Sequence, residues 1–123
     1  MTATVLDRAG HHTATAGDDA ELCVAVLGSE LTAYLAGADS VAQFESWFAG
    51  PARPDSPARR RLAAAAELIT VFETANRTSL AAAWLREVDP AGYVPARVLR
   101  LSEGNDACVK ALLETAAAWS ATA

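Results

Sequence analysis

The sequence has few of the features that mark a membrane, secreted or metal-binding protein. No apolar run approaches the ~20 residues needed to cross a bilayer, and no basic stretch followed by an apolar block opens the chain. It has two cysteines, Cys23 and Cys108, and two adjacent histidines, His11 and His12, with no further ligand at metal-binding spacing. We expect a cytoplasmic protein with two buried thiols, no disulfide and no metal ion.

Residue patterns that support catalysis are also scarce. The chain has no glycine-rich phosphate loop, no serine at a nucleophile elbow, and no histidine in a predicted helix that could act as a base. The carboxylates of Asp18 and Asp19 follow a polar tail and, as sequence neighbours, point in different directions. We therefore expect neither enzymatic activity nor a cofactor.

What the sequence does have is helix-forming residues. Hydrophobic residues make up 52% of the 123 positions, and much of that share is alanine, which enters helices at almost no entropic cost. No segment alternates apolar and polar residues in the manner of a strand. The composition predicts an all-α domain of about seven helices, without a sheet.

Glycine and proline divide the chain into three parts. We predict a disordered tail over 1–17, a helix-turn-helix-like region over 18–56, and a second helical region over 57–123. Ser29, Asp39 or Ser40, and Ser56 are the predicted N-caps of three of the helices. Helices are predicted at about 19–27, 30–36, 41–48, 57–75, 79–88, from 95 to Gly104, and 105–120.

The stretch from Gly28 to Gly50 has the pattern of a helix-turn-helix, with Gly37 as a left-handed cap between two short helices. Each helix has one apolar face that we expect to be buried. These faces consist of Leu31, Tyr34 and Leu35 in the first helix, and of Val41, Phe44, Trp47 and Phe48 in the second.

The outward positions of this region are candidates for DNA contact. In a DNA-reading arrangement, three polar side chains of the second helix would face the major groove, and arginines that follow would contact phosphates. The candidates are Ser40, Gln43 and Ser46 for the groove, and Arg53, Arg59, Arg60 and Arg61 for the phosphates.

The charge distribution weighs against that role. Residues 1–56 contain two basic residues and eight acidic ones, a formal charge of −6, whereas residues 57–123 carry +1. Proteins bind DNA mainly through lysine and arginine, so an acidic helix-turn-helix region is poorly suited to DNA binding. The alternative is that these helices complete a core or form a dimer face.

The C-terminal half contains a series of short motifs whose order and spacing resemble a known family. The motifs are Arg60-Arg61-Leu62, Ala83-Trp84-Leu85, Val94-Pro95-Ala96, Val98-Leu99, Glu103-Gly104 and Val109-x-x-Leu112-Leu113. This order is similar to the toxin-binding domain of Xre/MbcA/ParS-type antitoxins, the partners of RES-domain toxins. That family places a helix-turn-helix before the toxin-binding domain, and the stretch from Gly37 to Gly50, with Trp47 and Gly50 in place, is similar to its degenerate helix-turn-helix.

The resemblance implies a homodimer whose C-terminal region covers the NAD-binding cleft of a protein toxin and whose helix-turn-helix binds promoter DNA. Trp84, Leu85, Pro95, Leu99 and Gly104 match motif positions, and we expect Trp84 and Leu85 to be core residues. The second helix of the helix-turn-helix departs from the family because it has no basic residue. The candidate partner-binding residues are Tyr93, Arg97, Arg100, Lys110 and Trp119.

Two of the candidate partner-binding residues are aromatic. Trp119 could anchor a partner, as tryptophan does at many interfaces, or fold back onto a preceding helix. Tyr93 lies in a turn before Pro95, so we expect its ring to be partly exposed. The remaining alternatives for the chain are a DNA-binding transcriptional regulator and a helical adaptor that binds some other protein.

Overall fold

The architecture is all-α, as predicted. A computed structural model describes residues 15–49, 53–89 and 91–122, so most of the predicted tail lies outside the described residues. Within these ranges the chain forms seven α-helices and one 3₁₀ helix, and no strand. The α-helices are α1 Ala16–Leu27, α2 Ser29–Ala36, α3 Val41–Ala49, α4 Ser56–Thr74, α5 Ala81–Arg86, α6 Pro95–Ser102 and α7 Asp106–Thr122.

Several helices begin or end a few residues from the predicted positions. Residues 16 and 17, which we placed in the tail, belong to α1, because the Thr15 side chain accepts a hydrogen bond from the Asp18 N–H at 3.1 Å and caps the helix. Asp55, not Ser56, caps α4 and accepts from the Ala58 N–H at 2.9 Å. Carboxylates are good caps, so helix formation starts one residue earlier than predicted.

Two further boundaries differ in the same way. Gly28, with φ 91°, ends α1 and also holds the N-cap position of α2, so Ser29 is the first helical residue and not the cap. The helix predicted over 79–88 is a 3₁₀ helix, Thr78–Leu80, that continues into the short α5. The N-cap prediction for Ser40 is confirmed, since its Oγ accepts from the Gln43 N–H at 3.0 Å.

Helix α4 is the centre of the main hydrophobic core. Its predicted stripe is fully buried: Leu62, Ala65, Ala66, Ile69 and Phe72. The Phe72 ring lies 5.6 Å from the ring of Trp84 and 6.0 Å from the ring of Trp119, centroid to centroid. Side chains from α1, α2, α5, α6 and α7 join the same core, so both predicted helical regions pack on one helix.

Helix α3 rests on a second, smaller cluster made largely of alanines, into which it inserts Phe44. Val41 and Trp47 are partly buried there. The prediction that Phe48 is buried is wrong: its side chain is 39% exposed. Tyr34 of α2, predicted to face inward, is likewise 37% exposed. Helical periodicity identified the apolar faces, but it did not predict how much of each side chain the neighbouring helices leave exposed.

Candidate functional site

The side chains predicted to read DNA make hydrogen bonds within the chain near the start of α3. The Ser40 Oγ caps the helix, and the Gln43 Oε1 accepts a hydrogen bond from the Asp39 N–H at 2.7 Å. The Ser46 Oγ donates to the Gln43 carbonyl at 2.6 Å. A glutamine that reads adenine uses its amide oxygen and nitrogen together. Gln43 would have to break its hydrogen bond to Asp39 first, and its contact with DNA stays a prediction.

The arginines predicted to contact phosphates lie around the start of α4. Arg59 donates to the Pro54 carbonyl at 2.8 Å and to the Ser56 Oγ at 2.9 Å. Arg60 donates through Nε to the Glu103 carbonyl at 3.3 Å. Arg53 is exposed in the segment before α4. Arg59 therefore stabilises the turn before α4, and Arg60 connects α4 to the residue that follows α6. Phosphate contact by the three arginines remains a prediction.

Two further arginines link three helices. The Arg61 side chain, 13% exposed, donates through Nε to the Arg100 carbonyl at 2.9 Å and through Nη1 to the Ala36 carbonyl at 3.4 Å. Its Nη2 lies 4.0 Å from a carboxylate oxygen of Glu103. Arg61, on α4, therefore bonds a carbonyl at the end of α2 and another near the end of α6, where helices lack internal donors.

Arg100 completes this connection. Its Nη1 donates to the carbonyls of Tyr34 at 2.7 Å and Ala38 at 3.1 Å, and its guanidinium lies 4.7 Å from the centroid of the Tyr34 ring. We call Arg61 and Arg100 together the arginine clamp. No sequence pattern marks this clamp, because its acceptors are backbone carbonyls far from both arginines in the sequence.

The most exposed apolar residues of α6 and the turn before it form a continuous surface around a hollow of about 560 Å³. Tyr93 is 62% exposed and Leu101 is 65% exposed. Half-buried valines and one exposed arginine complete this α6 surface, which consists of Gly92, Tyr93, Val94, Arg97, Val98, Leu101 and Ser102.

Asp89 fixes the position of Tyr93 on this surface. The Asp89 Oδ1 accepts hydrogen bonds from the N–H groups of Ala91 at 2.9 Å and Tyr93 at 2.8 Å. The Asp89 N–H also donates to the Tyr93 carbonyl at 2.8 Å. An exposed aromatic held by an ordered backbone loses little conformational freedom when a partner binds.

The predicted partner-binding residues divide into two groups. Tyr93 and Arg97 lie together on the α6 surface. Arg100 points to α2 as part of the clamp, Lys110 is exposed on α7, and Trp119 is half-buried against Phe72. Of the alternatives for Trp119, the structure shows the packing against a preceding helix. The expected exposure of Tyr93 and burial of Trp84 and Leu85 are confirmed.

Leu101 is an apolar part of this surface that the sequence analysis did not select. The signal was its position four residues after Arg97, on a helix whose buried stripe runs through Pro95, Ala96 and Leu99. Residues i and i+4 share a helix face. Leu101 therefore lies on the exposed face of α6 with Arg97 and not on the buried face with Leu99.

Within the ranges the structure describes, no three His, Cys, Asp or Glu side chains are grouped to hold a metal ion, and no described helix is long and apolar enough to cross a membrane. Burial, with a smaller contribution from the Asp19 carboxylate, raises the pKa of the Cys23 thiol from 9.0 to about 12. This thiol is therefore a core group and a poor nucleophile.

Comparisons of the chain with models of known protein families, with curated proteins and with solved structures found no match.

Proposed function

We propose that this protein is an antitoxin-type inhibitor that binds a partner toxin and blocks the toxin's active site. The observation that carries the proposal is the α6 surface, where Tyr93 and Leu101 are both more than 60% exposed beside Arg97. The ordered motifs from Arg60 to Leu113, which resemble the toxin-binding domain of Xre/MbcA/ParS-type antitoxins, run through the same helix.

The chemistry of the surface favours a protein partner. Tyrosine and arginine are among the residues that contribute most to binding at interfaces, and apolar area removed from water contributes roughly 25 cal/mol per Å². Inhibition would require only that α6 and the Tyr93 turn cover the toxin's cleft. This chain would supply surface and shape, with no chemical step of its own.

Co-expression with the neighbouring gene tests the proposal. We expect the unaltered chain to co-purify with that gene's product and to relieve its toxicity, and we expect Leu101→Asp to lose both effects. Phe48→Asp is the matched control, since Phe48 is also an exposed apolar residue but lies on α3. Equal loss in both variants, or no binding by the unaltered chain, would contradict the proposal.

A DNA-binding regulator is the second candidate, favoured by the short helix pair α2–α3 and the arginines at the start of α4. A gel-shift assay on the DNA upstream of the gene, at low salt, separates the two functions. A regulator would shift this DNA at micromolar protein, and Gln43→Ala and Arg60→Ala would weaken the shift. If the protein does not shift this DNA, protein binding remains as the proposed function. If no toxin gene lies next to the gene for this protein, a helical adaptor that binds some other protein is favoured.

A further inference from the structure

A second surface pocket lies between α1 and α3. We call it the α1–α3 groove; its volume is about 940 Å³. Its apolar lining is Ala20, Val24, Ala25, Phe44, Phe48 and Ala49, and its polar lining is Gly17, Asp18, Glu21, Ser29 and Glu45. No basic residue is among them.

Two aromatic residues of α3 belong to the apolar lining of the groove. Phe44 is buried, and Phe48, whose ring centroid lies 5.4 Å away, is 39% exposed. On α1 the lining runs from Gly17 to Ala25, about two helical turns or 12 Å. A groove of this length between two helices suits a third helix that inserts side chains at i, i+3 or i+4, and i+7.

The charge around the groove has a single sign. The three carboxylates Asp18, Glu21 and Glu45 lie along it. More widely, residues 15–49 contain six acidic side chains and no lysine, arginine or histidine. Such a surface attracts cations, speeds the approach of a positively charged partner and repels anionic ones such as nucleic acids.

We propose that the α1–α3 groove binds a basic amphipathic helix of a partner protein. Apolar side chains of that helix would cover Phe48 and Val24, while its lysines or arginines would lie against Glu21 and Glu45. This surface is separate from the α6 surface and uses a different part of the chain. The inference therefore does not depend on the proposed function.

The probe is a fluorescein-labelled 18-residue peptide of leucine and lysine with all leucines on one helix face. Fluorescence anisotropy with the full chain at low salt should show binding. We expect Phe48→Asp, and separately the double variant Glu21→Lys with Glu45→Lys, to raise the Kd at least tenfold. Two matched controls, Leu101→Asp on α6 and the double variant Glu73→Lys with Glu114→Lys on α4 and α7, should change the Kd by less than about twofold.

Several outcomes would overturn the proposal. A peptide with glutamate in place of lysine that binds equally well would exclude charge recognition, and equal weakening by Leu101→Asp would exclude the groove as the site. If Phe48→Asp instead abolishes self-association in size-exclusion chromatography with light scattering, while the peptide does not bind, the occupant is a second copy of this chain. Because the two groove variants change different residues, a folding defect in one leaves the other as the test.

Both surfaces can be tested with the same two variants. Leu101→Asp is the loss variant for the toxin assay and the control for the peptide assay, and Phe48→Asp has the reverse roles. Failure of the groove proposal with an intact toxin assay is therefore distinguishable from failure of the proposed function.

Discussion

Replacing Arg61 by methionine should destabilise the protein far more than replacing its neighbour Arg60. Both side chains lie near the start of α4 and carry the same charge. Arg61, however, is 13% exposed and bonds the carbonyls of Arg100 and Ala36, whereas Arg60 is exposed and makes one hydrogen bond of 3.3 Å. Methionine keeps most of the apolar stem and removes the donors.

The expected loss follows from these contacts. A charged hydrogen bond of good length contributes about 1.5–3 kcal/mol, which applies to the 2.9 Å bond from Arg61 to the Arg100 carbonyl. The 3.4 Å bond to Ala36 is weaker, and the 4.0 Å ion pair with the 60% exposed Glu103 carboxylate contributes little. We expect Arg61→Met to lower the free energy of unfolding by about 3 kcal/mol and Arg60→Met by about 0.5 kcal/mol.

Urea denaturation followed by tryptophan fluorescence and circular dichroism measures this difference, and the Tm of Arg61→Met should fall by roughly 10 °C. Arg61→Lys should recover only part of the stability, because an ammonium cannot place two donors as a guanidinium fork does. If Arg61→Met and Arg60→Met destabilise the protein equally, the clamp does not contribute as described.

Four further predictions concern single positions in the core and turns. The Thr32 Oγ1 is buried without a hydrogen-bond partner among the described residues, so Thr32→Val should be neutral or stabilising by up to about 1 kcal/mol in urea denaturation, while Thr32→Ser should destabilise. Gly104 has φ +72°, and a Cβ there would lie 2.9 Å from the backbone of α4; Gly104→Ala should cost about 2–3 kcal/mol, against about 1 kcal/mol for Gly28→Ala, where no atom lies within 4 Å. Iodoacetamide at pH 8 should label the half-buried Cys108 of the native protein before the buried Cys23, and peptide mass spectrometry measures the order. Burial raises the pKa of Cys23 to about 12. The free energy of unfolding should therefore fall as the pH rises from about 9 towards 12, because the Cys23 thiol ionises readily in that range only in the unfolded state.

The helices and the core of α4 were predictable from the sequence because each rests on local signals. Pro57 and the apolar spacing from Leu62 to Phe72 determine where α4 lies and which face it buries. The partial exposure of Phe48 and Tyr34 was not predictable in the same way. Periodicity assigns an aromatic to a face, but whether another helix covers that face depends on packing that no local pattern records.

The arginine clamp escaped the sequence analysis for a related reason. Arg61 bonds carbonyls 25 and 39 residues away, and Arg100 bonds carbonyls 62 and 66 residues away. The acceptors are backbone atoms, which have no sequence signature. The sequence therefore made Arg59, Arg60 and Arg61 candidates for phosphate contact, whereas the structure uses Arg61 inside the fold. The α6 surface was found in part, because Tyr93 adjoins a turn, while Leu101 required the observed helix face.

The contact between Arg61 and Gly37 has a consequence for how this sequence can vary. A Cβ on residue 37 would lie 2.9 Å from the Arg61 Cζ and still closer to Nη1, so the guanidinium occupies the space that any other residue at position 37 would need. A chain that loses the arginine gains that space, and a left-handed asparagine could then replace the glycine. Among relatives of this protein, positions 37 and 61 should therefore change together, although 24 residues separate them in the sequence.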